Sequence, residues 1–257
     1  MSRPTSVATQ ALAAPPDSLL RARDFRGHRP STVANTLGRL TRDGALRRVG
    51  RGLYYRPAVT ILGPTAPNQQ DLARAVLGVP VLHPAGLAAA NLLGFSQQIP
   101  GVLDLALAGR RPPRGPGLTG VRFHRRSAAR AGLSAVAAAY LEVLRDLGHL
   151  SDLSPAATVQ RLAALVKTQA VPFAELLRAA PGEPPRVRAM LGALGEHVDV
   201  DPADLAALRE SLSPYSRYEF GPLAALPTAA RWGTRSARWA GTARAARTPA
   251  RQDALVF

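Results

Sequence analysis

The stretch from Arg29 to Arg51 concentrates side chains that read and hold nucleic acid. Ser31, Thr32, Asn35, Thr36, Arg39 and Arg42 fall on one side of a helical pattern. Val33, Leu37 and Leu40 recur on the other side at i, i+4 and i+7, one apolar stripe. The exposed set has the right chemistry: Asn pairs bidentately with adenine, Arg with guanine, and Ser or Thr with either base or phosphate. Arg29 stands at the helix start, within reach of a backbone phosphate. Downstream, Arg47, Arg48 and Arg51 surround the turn Gly50-Arg51-Gly52, whose glycines permit a tight reversal. Arg51 at its tip is placed for a minor-groove or phosphate contact. Two other readings fit the same residues. One is an amphipathic helix followed by an exposed hairpin whose arginines are merely solvated. The other is a winged helix that makes protein contacts only.

The elements that would position these residues follow from local signals. Pro30 suits a first helical position and Gly44 a helix end, which predicts a helix over 30–43. Leu46–Val49 and Leu53–Arg56 read as two strands of a hairpin, with Tyr54 or Tyr55 packing it on the helices. Upstream, Thr5–Ala13 reads as a short first helix, ended by Pro15 and Pro16. Asp17-Ser18 is placed to cap a second short helix through Phe25, and Gly27 makes a turn. Helices followed by a hairpin are the one-dimensional form of a winged helix-turn-helix, expected over residues 1–57. In that arrangement the later helix enters the major groove.

Beyond Pro57 and the proline-rich stretch 63–67, residues 68–227 read as a second domain, a small sheet plus helices. Helices are expected near 68–77 and 87–93, and strands near 79–82, 102–108 and 121–125. From Leu133 the pattern turns helical, with runs at 135–147, 156–167, 172–180, 185–197 and 202–212. Residues 228–257 form a basic segment, expected to be partly disordered. The fold class is α+β, mostly α: a winged helix-turn-helix, then a mixed α/β region, then a helical C-terminal part.

Charge supports a polyanionic partner. The 257 residues carry 33 basic and 17 acidic side chains, a net +16, and Lys167 is the only lysine. Arginine in place of lysine is partly what a GC-rich genome produces, but the excess of positive charge is not. By segment the balance is +8 over 1–57, +6 over 58–130, −3 over 131–227 and +5 over 228–257. A polyanion should therefore meet the N-terminal part first. There is no cysteine, hence no disulfide or thiolate metal site. No apolar run approaches the ~20 residues of a membrane span, and the N-terminus lacks a signal-peptide core. A cytoplasmic protein with no membrane partner is expected.

Other candidates carry less. Arg186 and Arg188 start a helix, where positive charge opposes the dipole, so they suit an anion or partner contact, or ion pairs with nearby carboxylates. Arg110 and Arg111, with Arg114, sit in a proline-rich loop that could track phosphate. Asn91, Ser96, Gln97 and Gln98 could touch nucleic acid or a partner, although capping and turn bonds explain them equally. The five histidines, His28, His83, His124, His149 and His197, stand singly. Asp199 and Asp201 look superficially like a metal pair, but Pro202 makes Asp201 a helix cap. With no P-loop or nucleophile elbow, no catalytic residue, metal or cofactor is expected, and the chain reads as a non-enzyme.

Several blocks, kept in order over about 230 residues, share a resemblance. They are STVANTLGRLTRDGALRRVGRGLYYRP, HPAGLAAANLLGFSQQIPG (His83–Gly101), PPRVRAMLGALGE (Pro184–Glu196), LRESLSPYSRYEFG (Leu208–Gly221) and LPTAARW (Leu226–Trp232). Together the run resembles the AbiEi family of antitoxins from type IV toxin–antitoxin systems. The resemblance implies an N-terminal winged helix that binds the promoter of its own operon. It also implies a C-terminal domain that counters a neighbouring nucleotidyltransferase-like toxin, with or without direct binding. Two other function classes stay open: a stand-alone winged-helix regulator whose C-terminal domain senses a ligand, and an RNA-binding protein that masks a toxin substrate.

Overall fold

The computed structural model describes residues 5–78, 82–109, 118 and 120–235, and the fold is α+β and mostly helical. The N-terminal elements are α1 (Val7–Ala13), β1 (Ser18–Arg21), a 3-10 turn at Ala22–Asp24, α2 (Pro30–Arg42), β2 (Arg47–Gly50) and β3 (Leu53–Arg56). The strands form an antiparallel sheet of order β1-β3-β2. The expected second helix over 18–25 is therefore absent: a strand and one 3-10 turn stand in its place. The reason lies in Leu19 and Leu20, adjacent apolar residues that a strand sends to opposite faces. Leu20 joins the core beneath the helices, and Leu19 joins a different core on the far side of the sheet. Asp17 does not cap a helix either. Its φ is +62°, and its carboxylate accepts from the Tyr55 hydroxyl (2.6 Å), the Ala58 N–H (3.1 Å) and the Thr65 hydroxyl.

Helix α2 forms as its sequence predicts. Pro30 opens it, and Gly44 at φ +79° turns the chain just past its end. Val33, Leu37 and Leu40 are buried against Val7, Ala11, Phe25, Leu46 and Tyr54. Of the two tyrosines, Tyr54 packs the hairpin on the helices. Tyr55 is buried on the opposite face, held by Asp17 and the main chain at Ala66. On that opposite face Leu53 joins Leu72, Ala73, Leu105 and Leu107, with Leu19 and Val49 partly buried alongside.

A short hairpin follows, β4 (Val59–Thr60) and β5 (Gly63–Pro64), then α3 (Gln69–Leu77), capped by the Asn68 side chain. Next come β6 (His83–Pro84), α4 (Gly86–Leu92), β7 (Leu103–Ala108) and β8 (Val121–Arg126). These three strands order as β6-β7-β8, with β7 and β8 parallel. Of the strand expected at 79–82, residues 79–81 lie outside the described residues.

The C-terminal part is helical: α5 (Ala135–Arg145), α6 (Leu147–Leu150), α7 (Pro155–Lys167), α8 (Phe173–Ala179), α9 (Pro185–His197) and α10 (Pro202–Glu210). Helix α5 is buried from Ala137 to Leu144, as a central core helix must be, and Glu142 is the one charged side chain in that run. Helix α9 carries Gly192 where a Cβ would stand 2.1 Å from the Trp232 ring, so that glycine is what admits the indole. Asp201 caps α10 through the Ala203 N–H (2.8 Å), as its position before Pro202 predicts.

One polar cluster lies inside this core. Arg130 is 1% exposed and forks onto Glu183 (2.6 and 2.9 Å) and Glu142; Arg126 also pairs with Glu142 (2.6 Å), and Arg145 with Glu183 (2.8 Å). Burial pushes Glu142 upward, but hydrogen bonds and charge from Arg126 and Arg130 outweigh it and hold its carboxyl below the ordinary value of 4.5. His83 lies beside this cluster, buried, and its Nδ1 has no hydrogen-bond partner in the structure. Burial, and then the positive charge of Arg130, hold its imidazole below 6.5.

Candidate nucleic-acid interface

Helix α2 presents two unlike sides. Val33, Leu37 and Leu40 are buried; Ser31, Thr32, Asn35, Arg39 and Arg42 are exposed, and Thr36 is half-buried. Thr41, one turn from Leu37, bonds back to the Leu37 carbonyl (2.8 Å) and is thereby occupied. Arg29 occupies the N-cap position without a side-chain capping bond, and no acidic residue stands in the first turn. The first N–H groups of α2 and the Arg29 guanidinium therefore meet solvent together. The last turn carries Arg39 and Arg42, so positive charge continues along the exposed side.

The hairpin adds a second basic element. Arg47, Arg48 and Arg51 are exposed, and Gly52 at φ +64° closes the two-residue tip. Pairing separates the first two arginines. Arg48 stands opposite Tyr54, on the side of the sheet that carries the helices, and Arg47 opposite Tyr55, on the other side. The register slips between Arg48 and Gly50, a bulge that increases the local twist at the tip. Arg29, Arg39, Arg42, Arg47, Arg48 and Arg51 pair with no carboxylate among the described residues. An unneutralised cationic strip of this kind attracts polyanions from a distance.

The same sheet is anchored from behind. Tyr55 is bound to Asp17, and Asp17 is held below the ordinary carboxylate range by the Thr65 hydroxyl, then Tyr55, then the Ala58 N–H. Arg21 donates to the Ala75 carbonyl of α3 (2.9 Å). The Thr65 and Tyr55 tethers were not expected from sequence, because partners 10 and 48 residues apart leave no local pattern.

The remaining candidates are placed as follows. Arg186 donates to the Arg145 carbonyl, and Arg188 to the Ser211 carbonyl (3.1 Å); neither meets a carboxylate among the described residues. Arg110, Arg111, Arg114 and the arginine-rich tail beyond Arg235 lie outside the described residues. Asn91 donates to the Gln98 carbonyl (2.8 Å), while Ser96 and Gln98 both donate to Asp152 (2.5 and 2.6 Å). These side chains are thus spent on bonds within the fold, two of them to the distant Asp152. Of the histidines, His124 pairs with Asp104 and His149 with Asp146 (2.7 Å each). No metal-binding group of three such residues occurs among the described residues, nor any helix long and apolar enough to cross a membrane.

A family model described as a family of unknown function, DUF6088, matches residues 10–111, from α1 past the end of β7. No curated protein matches the chain. Among solved structures, the chain is similar to the RV2827C protein from Mycobacterium tuberculosis: 20% identical, with 82% of this chain and 81% of that chain covered, at a TM-score of 0.45.

Proposed function

We propose that this chain is a DNA-binding antitoxin that represses its own operon through an N-terminal winged helix. The observation that carries the reading is the exposed side of α2. Ser31, Thr32, Asn35, Arg39 and Arg42 stand clear of the core, and Arg48 and Arg51 lie in the adjoining hairpin. Asn35 and Arg39 are one helical turn apart and supply adenine and guanine readout in the major groove. Arg29 and the uncapped first turn of α2 take a phosphate, and Arg51 takes phosphate or the minor groove. The antitoxin role rests on the sequence blocks that resemble the AbiEi family; that resemblance implies a toxin-countering C-terminal part.

The test has two arms. The purified chain is titrated onto the DNA upstream of its gene and onto a shuffled duplex of equal length; the reading expects tighter binding to the first. The chain is then co-expressed with the product of the adjoining gene, and rescue of growth is scored. Equal affinity for both duplexes refutes the operator reading, and failure to rescue a toxic neighbour refutes the antitoxin reading.

A further inference from the structure

Three arginines converge at the C-terminal end of the helical part. Arg209 at the end of α10, Arg217 in the following loop and Arg231 in the 3-10 turn Ala229–Trp232 line one cleft of about 310 Å³, with Ser216, Tyr218 and Trp232. That volume lies at the small end of the range for pockets that hold small molecules, about 300–1,000 Å³.

The cleft is a built feature. Gly192 makes room for the Trp232 ring, and Glu196 accepts the indole N–H (2.6 Å). The Arg209 guanidinium lies 4.3 Å over the centroid of that ring. The chain is clamped at both sides by the Tyr218 N–H to the Gly233 carbonyl (2.8 Å) and the Arg235 N–H to the Tyr218 carbonyl (2.9 Å). One carboxylate, Glu196, faces the arginines, at 2.8 Å from Arg231 and 3.8 Å from Arg209. Arg217 touches no carboxylate among the described residues and donates only to the Pro214 and Ser216 carbonyls (3.0 Å each). Three cations against one anion leave an excess positive charge beside a flat, aromatic-backed surface.

We infer that this cleft binds a 5′-phosphorylated nucleoside unit. Arginine forks match phosphate oxygens, with Arg217 and Arg231 as the pair at its rim. The Arg209 plane, backed by Trp232, offers a stacking surface for a base, and Leu212 and Pro214 supply apolar wall. A free mononucleotide and the terminal nucleotide of a single strand present the same chemistry. The inference does not depend on DNA binding by α2, which lies in a different part of the chain.

The chain has two tryptophans, Trp232 and Trp239. In a Trp239→Phe background, emission reports Trp232 alone. Adenosine 5′-monophosphate, adenosine and a 5′-phosphorylated single-stranded pentanucleotide are titrated in turn. Saturable change with the monophosphate, at least tenfold weaker change with adenosine, and a further loss of about tenfold in Arg217→Ala are expected. A pentanucleotide that binds tenfold tighter than the monophosphate identifies a strand end as the source; equal affinity identifies the free nucleotide. No saturable change with either phosphorylated probe overturns the inference. So does binding that Arg217→Ala and Arg231→Ala both leave intact.

Discussion

Replacing Asn35 or Arg39 by Ala tests the groove assignment most directly. Both side chains are exposed on α2, and neither belongs to its buried stripe. Truncation should therefore change folding stability by no more than about 0.5 kcal/mol. Each good bidentate base contact is worth about 1–3 kcal/mol of discrimination. Loss of one should weaken operator binding by about five- to 150-fold. Geometry adds a positional expectation. Four residues of helix rise about 6 Å, close to two base-pair steps of about 3.4 Å. The two variants should thus relax base preference at positions about two pairs apart. Arg51→Ala is the contrasting case, because a phosphate contact carries no sequence information. It should weaken binding to all sequences alike and flatten the salt dependence by about one unit. The assay is fluorescence anisotropy on the operator and its single-base variants, over a salt series. Equal losses on operator and shuffled duplex for Asn35→Ala and Arg39→Ala would refute base reading by α2. Unchanged affinity in all three variants would refute the interface itself.

Arg130→Met should cost about 3–5 kcal/mol, since it leaves Glu142 and Glu183 buried with part of their counter-charge gone; chemical denaturation measures it, and a loss under 1 kcal/mol contradicts the network. Gly192→Ala should cost about 1–3 kcal/mol by driving a methyl into the Trp232 ring, and should shift the Trp232 emission. His83 holds its proton less well in the native state than at its ordinary 6.5. As pH falls through about 6.5 the unfolded chain therefore takes up a proton first, and stability drops until the lower native value is passed. A melting series from about pH 8 to about pH 5 should show that decline in the wild type and a shallower one in His83→Gln.

What the sequence made legible follows the range over which the signals act. Pro30, the 33-37-40 stripe and Gly44 lie within one helix, and each marks it by a local rule. The hairpin is equally local, with its glycines at the tip. Ser18–Arg21 escaped because Leu19 and Leu20 serve two cores, so neither the alternation of a half-buried strand nor a helical stripe appears. The Arg130 network escaped for another reason. Its partners stand 12 and 53 residues away, and each reads alone as a surface charge. The cleft around Arg209, Arg217 and Arg231 depends on Gly192, a residue that in sequence is only a weak spot in a helix.

The sheet with apolar residues on both faces has a consequence for dissection of the protein. Leu20 and Tyr54 complete one core, while Leu19, Leu53 and Val49 complete the other with residues of α3 and β7. The β1-β3-β2 sheet is thus a party wall. A fragment ending at Pro57 would keep its helices but bare that second face and lose the Thr65 anchor of Tyr55. A piece beginning after it would lose one side of its own core. Cutting the chain at this joint injures both halves, so the proposed operator binding and the proposed toxin control are better separated by surface substitution on α2 than by truncation.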